Sequence, residues 1–243
     1  MNIFLGIKLI EVSVLCFLDS LPKIDLVRII VELLFINERS FFYICIHMRV
    51  RDEHKEALVR EKAIEMIVNE GFDGMSMQKL AKAADVSPAT IYLYFKNRED
   101  MLNQLYLETE KRFYESSLKG FDPERMSFEE GLWHQWKTRF KNITDDPKGF
   151  RFMEQFKHSP LINRSSMYGS QFKEAMSKFV QNAIKRKELI EIPRETYWAL
   201  AYGPFYTLVK FHLDQKAFAG TDFKLTDHKL KQAFQQVLKS LKP

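Results

Sequence analysis

Cysteine is nearly missing from this chain: of 243 residues only Cys16 and Cys45 carry a thiol, and both fall within the first 48. No disulfide framework is expected, and two thiols in a chain of this size suit a reducing cytoplasm. Glycine (9) and proline (8) are scarce as well. Strand-like alternation is rare and most of the sequence reads in helical period, so the expected fold class is all-α. No apolar run reaches the roughly 20 residues needed to cross a bilayer, because Lys8, Glu11, Asp19, Lys23, Asp25, Arg28 and Glu32 interrupt the apolar stretches around 12–18 and 27–35. No membrane partner is therefore expected. A secretory signal with a basic start, an apolar core and a small-residue cleavage site is lacking too. So are a Gly-rich phosphate loop, a His-Glu-x-x-His pair, a Cys-x-x-Cys pair and a Ser-His-Asp context. An enzyme has nothing to stand on here, and neither a cofactor nor a metal is called for.

What the chain does have is apolar material: 46% of its residues are hydrophobic and 14% aromatic, ample for a real core. The net charge of +5 is unevenly placed. Residues 113–243 carry 22 basic against 15 acidic side chains, whereas residues 49–112 carry 11 against 12. A bulk-charge argument for nucleic acid fails on those counts. Any such argument rests on placement, with Arg49, Arg51, Lys96 and Arg98 flanking the stretch described next.

Between residues 76 and 100 two helix starts lie about eleven residues apart around one short turn. Ser76 can cap the first helix, and Ser87 followed by Pro88 is a cap with the residue best suited to the first helical position. Ala84-Asp85-Val86 must turn the chain sharply, and Asp85 is among the few non-glycine types that tolerate positive φ. Leu80, Ala81, Ala84, Val86, Ile91 and Phe95 form one apolar set. Gln78, Lys79, Lys82, Ala89, Thr90, Tyr92 and Tyr94 are left facing outward, polar and aromatic as a groove reader needs. Upstream, Val59, Ala63, Met66 and Ile67 mark one face of a helix that should stop at Gly71. The spacing is that of a helix-turn-helix roofed by a third helix.

These residues resemble the tetracycline-repressor (TetR) family. Its pattern is met by Gly71-Phe72, Ser76, Ala81 to Ser87, Thr90 to Phe95 and Arg98-Glu99, over about residues 51–105. Family members often have Gly where Asp85 and Ala89 stand and His where Tyr94 stands, and neither departure breaks the mechanism. The resemblance implies a DNA-binding transcriptional regulator. Carried over position by position, it places Gln78, Pro88, Ala89, Thr90 and Tyr92 at base edges or the groove floor, and Ser76, Tyr94, Lys96 and Arg98 at phosphates, with Ser87 also among the DNA-binding residues. It also implies a ligand-responsive repressor, acting as a homodimer on a palindromic operator of double-stranded DNA.

The expected organisation is an atypical extension over 1–48, a helix-turn-helix domain over 49–97, and a ligand-binding and dimerisation domain over 98–243. Met48-Arg49-Val50-Arg51 resembles the short polar arm with which the family domain begins. Met48 is accordingly expected as the initiator, with the upstream residues a translated leader; an amphipathic extension lying on the body or on a membrane surface is the rival reading.

From Arg98 a long helix is expected to about Lys119, broken by Gly120-Phe-Asp-Pro123. Ser127-Phe-Glu-Glu130 is a capping box opening the next helix, and Asp145-Asp146-Pro147 opens another that His158-Ser-Pro160 ends. Further helices are expected over about 165–187, 194–216 and 226–241. At helical spacing aromatic residues are core more often than pocket, but together with the resemblance they suggest a small-molecule effector cavity lined by Trp133, Trp136, Phe140, Phe156, Phe172, Met176 and Tyr202. His134 and His212 read as core or rim residues. The last two helices resemble the family's dimerisation pair, with Tyr197, Trp198, Phe205, Phe211, Phe234 and Leu238 as candidate interface residues, whose alternative role is packing in their own domain. Pro204 should kink its helix. Three classes stay open: the ligand-responsive regulator, a helical small-molecule binder that has lost DNA binding, and a membrane-associated regulator using the N-terminal stretch.

Overall fold

A computed structural model describes residues 52–157, 159 and 168–243, so the expectations for residues 1–48, the two cysteines, Arg49, Arg51 and the start of the helix expected near 165 lie outside the described residues. Numbered within the described residues, the helices are α1 (Glu53–Gly74), α2 (Met77–Ala83), α3 (Pro88–Ile91), α4 (Arg98–Leu118), α5 (Phe128–Asp145), α6 (Pro147–Lys157), α7 (Tyr168–Lys185), α8 (Arg194–Asp214) and α9 (Asp227–Leu241). A single 3₁₀ turn, Phe218–Gly220, sits between α8 and α9. Among the described residues there is no strand, only one bridge between Lys216 and Asp222.

Local chemistry sets these boundaries. Asp52 caps α1 by accepting from the backbone N–H groups of His54 and Lys55, and Asn97 caps α4 by accepting from Asp100. Gly71 takes φ 74°, a conformation costly for other residues, and breaks the helical path of α1 before its last residues. Both halves of the capping box at α5 are formed: Ser127 Oγ accepts from Glu130 N, and Glu130 accepts from Ser127 N at 3.0 Å. Buried Gly131 leaves room for Phe179, whose ring would lie 2.3 Å from any Cβ added there. α8 runs through Pro204 as a single helix.

Among the described residues two apolar cores result. One is built from α5, α7, α8 and α9 and centres on Leu132, Trp136, Phe179, Tyr202, Phe205 and Phe234. The other joins Val59, Ala63 and Ile67 of α1 and Leu80, Ile91 and Phe95 of the helix-turn-helix to Met101, Leu102, Leu105 and Tyr106 of α4, and to Phe152, Met153 and Phe156 of α6. The division of the chain at residue 97 is thus not a division between cores. Among the described residues, 52–97 have no closed core of their own, because Phe152, Met153 and Phe156 of α6 complete it.

Candidate nucleic-acid interface and ligand cavity

The helix-turn-helix is built by its two serine caps. Ser76 Oγ accepts from Lys79 N at 3.2 Å, and Ser87 Oγ accepts from Thr90 N at 3.1 Å with Pro88 behind it. The turn between them is held by Val86 N donating to Ala81 O at 3.0 Å, with Asp85 at φ 52°. Leu80, Ala81, Ala84, Ile91 and Phe95 are buried as the apolar set requires. α3 is one turn long, and Tyr92 to Tyr94 continue it as a turn rather than as helix.

Ser76, Gln78, Ser87, Pro88, Ala89, Tyr92 and Lys96 are exposed on this unit, Tyr92 with 54% of its surface free. Three expected contacts are placed differently. Thr90 is buried and its hydroxyl bonds Ser87 Oγ at 2.8 Å, completing the cap. Tyr94 is buried, and its hydroxyl donates to the backbone carbonyl of Asp52 at 3.2 Å, which ties the end of the recognition segment to the start of α1. Arg98 is half-buried and donates to the carbonyl of Phe72, joining α4 to the end of α1. Thr90 and Tyr94 read as outward in the sequence, and Arg98 as a phosphate contact, because the groups that satisfy them lie in a cap or far along the chain. Beside them, Asp100 accepts from Lys96 N at 2.9 Å, and that backbone N–H holds its carboxyl below the usual carboxylate range.

In the body the aromatic candidates separate. Phe172 and Met176, with Val180, Ile192, Tyr197 and Trp198, line a cleft of about 450 Å³ between α7 and α8. Tyr202 lies fully buried beside it. Trp136 is core instead: it is fully buried, and its Nε1 donates to Ala201 O at 2.9 Å. Phe156 belongs to the other core, and Trp133 packs on Phe234 at 4.8 Å. Phe140 packs on His212 at 5.5 Å, and His212 Nδ1 accepts from Leu225 N. These four line neither the cleft nor the cavity described next. Of the expected interface residues, Tyr197, Phe205, Phe234 and Leu238 are buried within the chain, in the packing role that was their alternative. Trp198 keeps 41% of its surface free, and Phe211 is half-buried against Phe223.

The sequence reading passed over Arg139. Only 1% of this residue is exposed, yet among the described residues no Asp or Glu lies within ion-pair distance of it. Its guanidinium sits 4.8 Å from the ring centre of Tyr202, 5.2 Å from that of Phe172, 5.5 Å from Phe113 and 5.7 Å from Trp198. One nitrogen, Nη1, donates to the hydroxyl of Tyr206 at 2.8 Å, while Nε and Nη2 have no partner. Burial pushes the Tyr114 and Tyr202 hydroxyls up to about 12, so these neighbours are neutral at physiological pH and supply no counter-charge. Cation–π contacts offset part of the desolvation, but an uncompensated buried ion costs several kcal/mol. The signal was present in the sequence: Leu132, Trp136, Arg139 and Ile143 follow one another at i, i+4, i+7 and i+11, a charge in an otherwise apolar stripe.

Residues 59–105 match the family model described as bacterial regulatory proteins, tetR family. Over 95 residues the chain is 33% identical to an uncharacterized HTH-type transcriptional regulator of Haemophilus influenzae, covering 39% of this chain and 50% of that protein. Over 55 residues it is 44% identical to the fatty acid metabolism regulator protein of Bacillus subtilis, covering 23% and 28% respectively. The chain thus spans half or less of the length of these curated relatives. A crystal structure of a TetR family transcription regulator from Marinobacter aquaeolei VT8 matches over 80% of this chain and 98% of that one, with 27% identity and a TM-score of 0.64.

Proposed function

We propose that this chain, whose residues 59–105 match the tetR family of bacterial regulatory proteins, is a DNA-binding transcriptional regulator of that family that works as a ligand-responsive repressor, a homodimer on a two-fold operator in the cytoplasm. The observation that carries this reading is the exposed surface left by the two serine caps. Gln78, Pro88, Ala89 and Tyr92 project from one short unit whose other side is sealed into the core. Gln78, Ser87, Pro88, Ala89 and Tyr92 are assigned to base edges and the groove floor, and Ser76 and Lys96 to phosphates. Residues 49–97 carry the reading head and 98–243 the ligand cavity and dimer surface, with α6 shared between them.

The dimer is supported by the outward face of α8, where Leu200 and Pro204 are exposed and Phe211 is half-exposed. This is a run of apolar surface on one helix, of the kind that subunits of a two-fold oligomer bury. The effector cavity is supported by the cleft between α7 and α8. An effector there changes DNA affinity only through unequal affinity for the DNA-competent and incompetent arrangements. Repression is the commoner mode of the family.

Selection of bound duplexes from a random pool tests the reading. Enrichment of an inverted repeat supports dimer, domain and site together. Enrichment of a single asymmetric half-site contradicts the dimer, and no enrichment contradicts sequence-specific binding.

A further inference from the structure

We infer that Arg139 is the seat of a carboxylate, and that the effector is a monocarboxylic acid whose apolar remainder occupies the cleft between α7 and α8. The inference rests on the reading of the helical body as a ligand-binding domain and names the chemistry that domain selects.

Three observations converge. The unpartnered nitrogens Nε and Nη2 form one edge of the guanidinium, the pair of parallel N–H groups that a carboxylate accepts bidentately. Arg139 lines a cavity of about 60 Å³, which has room for a carboxylate. Phe172 and Trp198 wall both this cavity and the apolar cleft of about 450 Å³, so the two are adjacent and only those two rings stand between a head group on Arg139 and a tail in the cleft.

A fourth observation narrows the charge. Glu110 lines the same small cavity and accepts from the Tyr106 hydroxyl at 3.0 Å. Lys157 lines it as well, but it is already paired with Glu154 at 3.1 Å, so the Glu110 carboxylate penalises a dianion more than a monoanion, which favours a carboxylic acid over a phosphate monoester. The effector therefore completes a charge pair that the fold leaves open, and an uncharged analogue of the same shape leaves Arg139 unpaired.

The test uses matched probes on the full chain without DNA: octanoate against 1-octanol, and 4-phenylbutyrate against 4-phenylbutan-1-ol, by titration calorimetry. At least one acid should bind once per chain and at least tenfold more tightly than its alcohol. Arg139→Met, which removes the charge and keeps an unbranched apolar stem, should bind acid and alcohol alike while melting near the wild-type temperature. Arg139→Lys keeps the charge without the fork and should lose most of the preference. Should Arg139→Met fail to fold, the lysine variant decides. Equal binding of acid and alcohol by the wild type overturns the inference, as does absence of acid binding, a preference retained in either variant, or tighter binding of octyl phosphate than of octanoate. Acid binding that leaves affinity for a selected duplex unchanged keeps this site and removes the ligand-responsive reading. Operator selection without acid binding does the reverse.

Discussion

Tyr106 of α4 lies flat on Phe156 of α6, ring centres 4.6 Å apart and planes 17° from parallel, and its hydroxyl donates to Glu110 one turn further along α4. The pair sits where the helix-turn-helix core meets the rest of the helical body. Phe156 also meets Phe72 of α1 edge-on at 5.8 Å, while Glu110 lines the small cavity beside Arg139. Gln155 Nε2 donates to Val68 O, and Lys148 pairs with Glu65 at 3.0 Å, so α6 is fixed to α1 along its length. A ligand that moves α4 or α6 thus moves the roof of the reading head through contacts that are already made.

Phe156→Ala should cost about 3–5 kcal/mol, the usual range for truncating a fully buried aromatic. Urea denaturation followed by circular dichroism measures it. Because the residue closes the core of the helix-turn-helix, DNA binding should fail together with stability. A loss under about 1 kcal/mol would show that residues 49–97 do not depend on α6.

Asp85 adopts φ 52°, where a β-branched side chain is strained. Asp85→Val should destabilise by about 1–2 kcal/mol, whereas Asp85→Gly should be neutral or slightly stabilising. Thermal melts of the two variants check the order, and a valine variant as stable as the glycine one would show the turn to be unconstrained.

Tyr92→Ala should relax sequence preference with modest loss of non-specific affinity. Lys96→Ala should weaken all duplexes by a similar factor and reduce the salt dependence by about one unit of slope. Competition titrations at several salt concentrations separate the two, and an equal loss of preference in both refutes the division of roles.

Leu200 is 40% exposed on α8, whereas Phe234 is buried inside the chain. Leu200→Glu should therefore give a folded monomer with weakened operator binding, while Phe234→Asp should unfold the chain. Light scattering beside circular dichroism distinguishes them. A folded monomer from the Phe234 variant would return that residue to the interface.

The helix-turn-helix was legible because its signals are local: Ser76, Ser87, Pro88 and Asp85 act through neighbours a few residues away. The capping box at Ser127 and the helix starting at Thr226 were legible for the same reason. What sequence could not supply was the partner of each outward-looking polar group. Tyr94 finds Asp52 across 42 residues and Arg98 finds Phe72 across 26. The aromatic residues of the body follow the same rule. Helical spacing shows that Trp133, Trp136 and Phe140 share a sector of α5, but only the packing of α8 and α9 shows that Trp136 is core. Arg139 shares the stripe of Trp136, and its lone charge at core spacing is the local sign of a buried ion whose surroundings only the fold supplies.

The most direct test of the central claim is a base-modification interference footprint of the full chain on its selected duplex, with Lys96→Ala as comparison. Two interference segments are expected in successive major grooves on one face, about 34–36 Å apart or somewhat more if the DNA bends. They should be symmetric about a centre and weaken together in the variant. One segment alone, or a uniform pattern along the duplex, would contradict a dimeric, sequence-reading regulator.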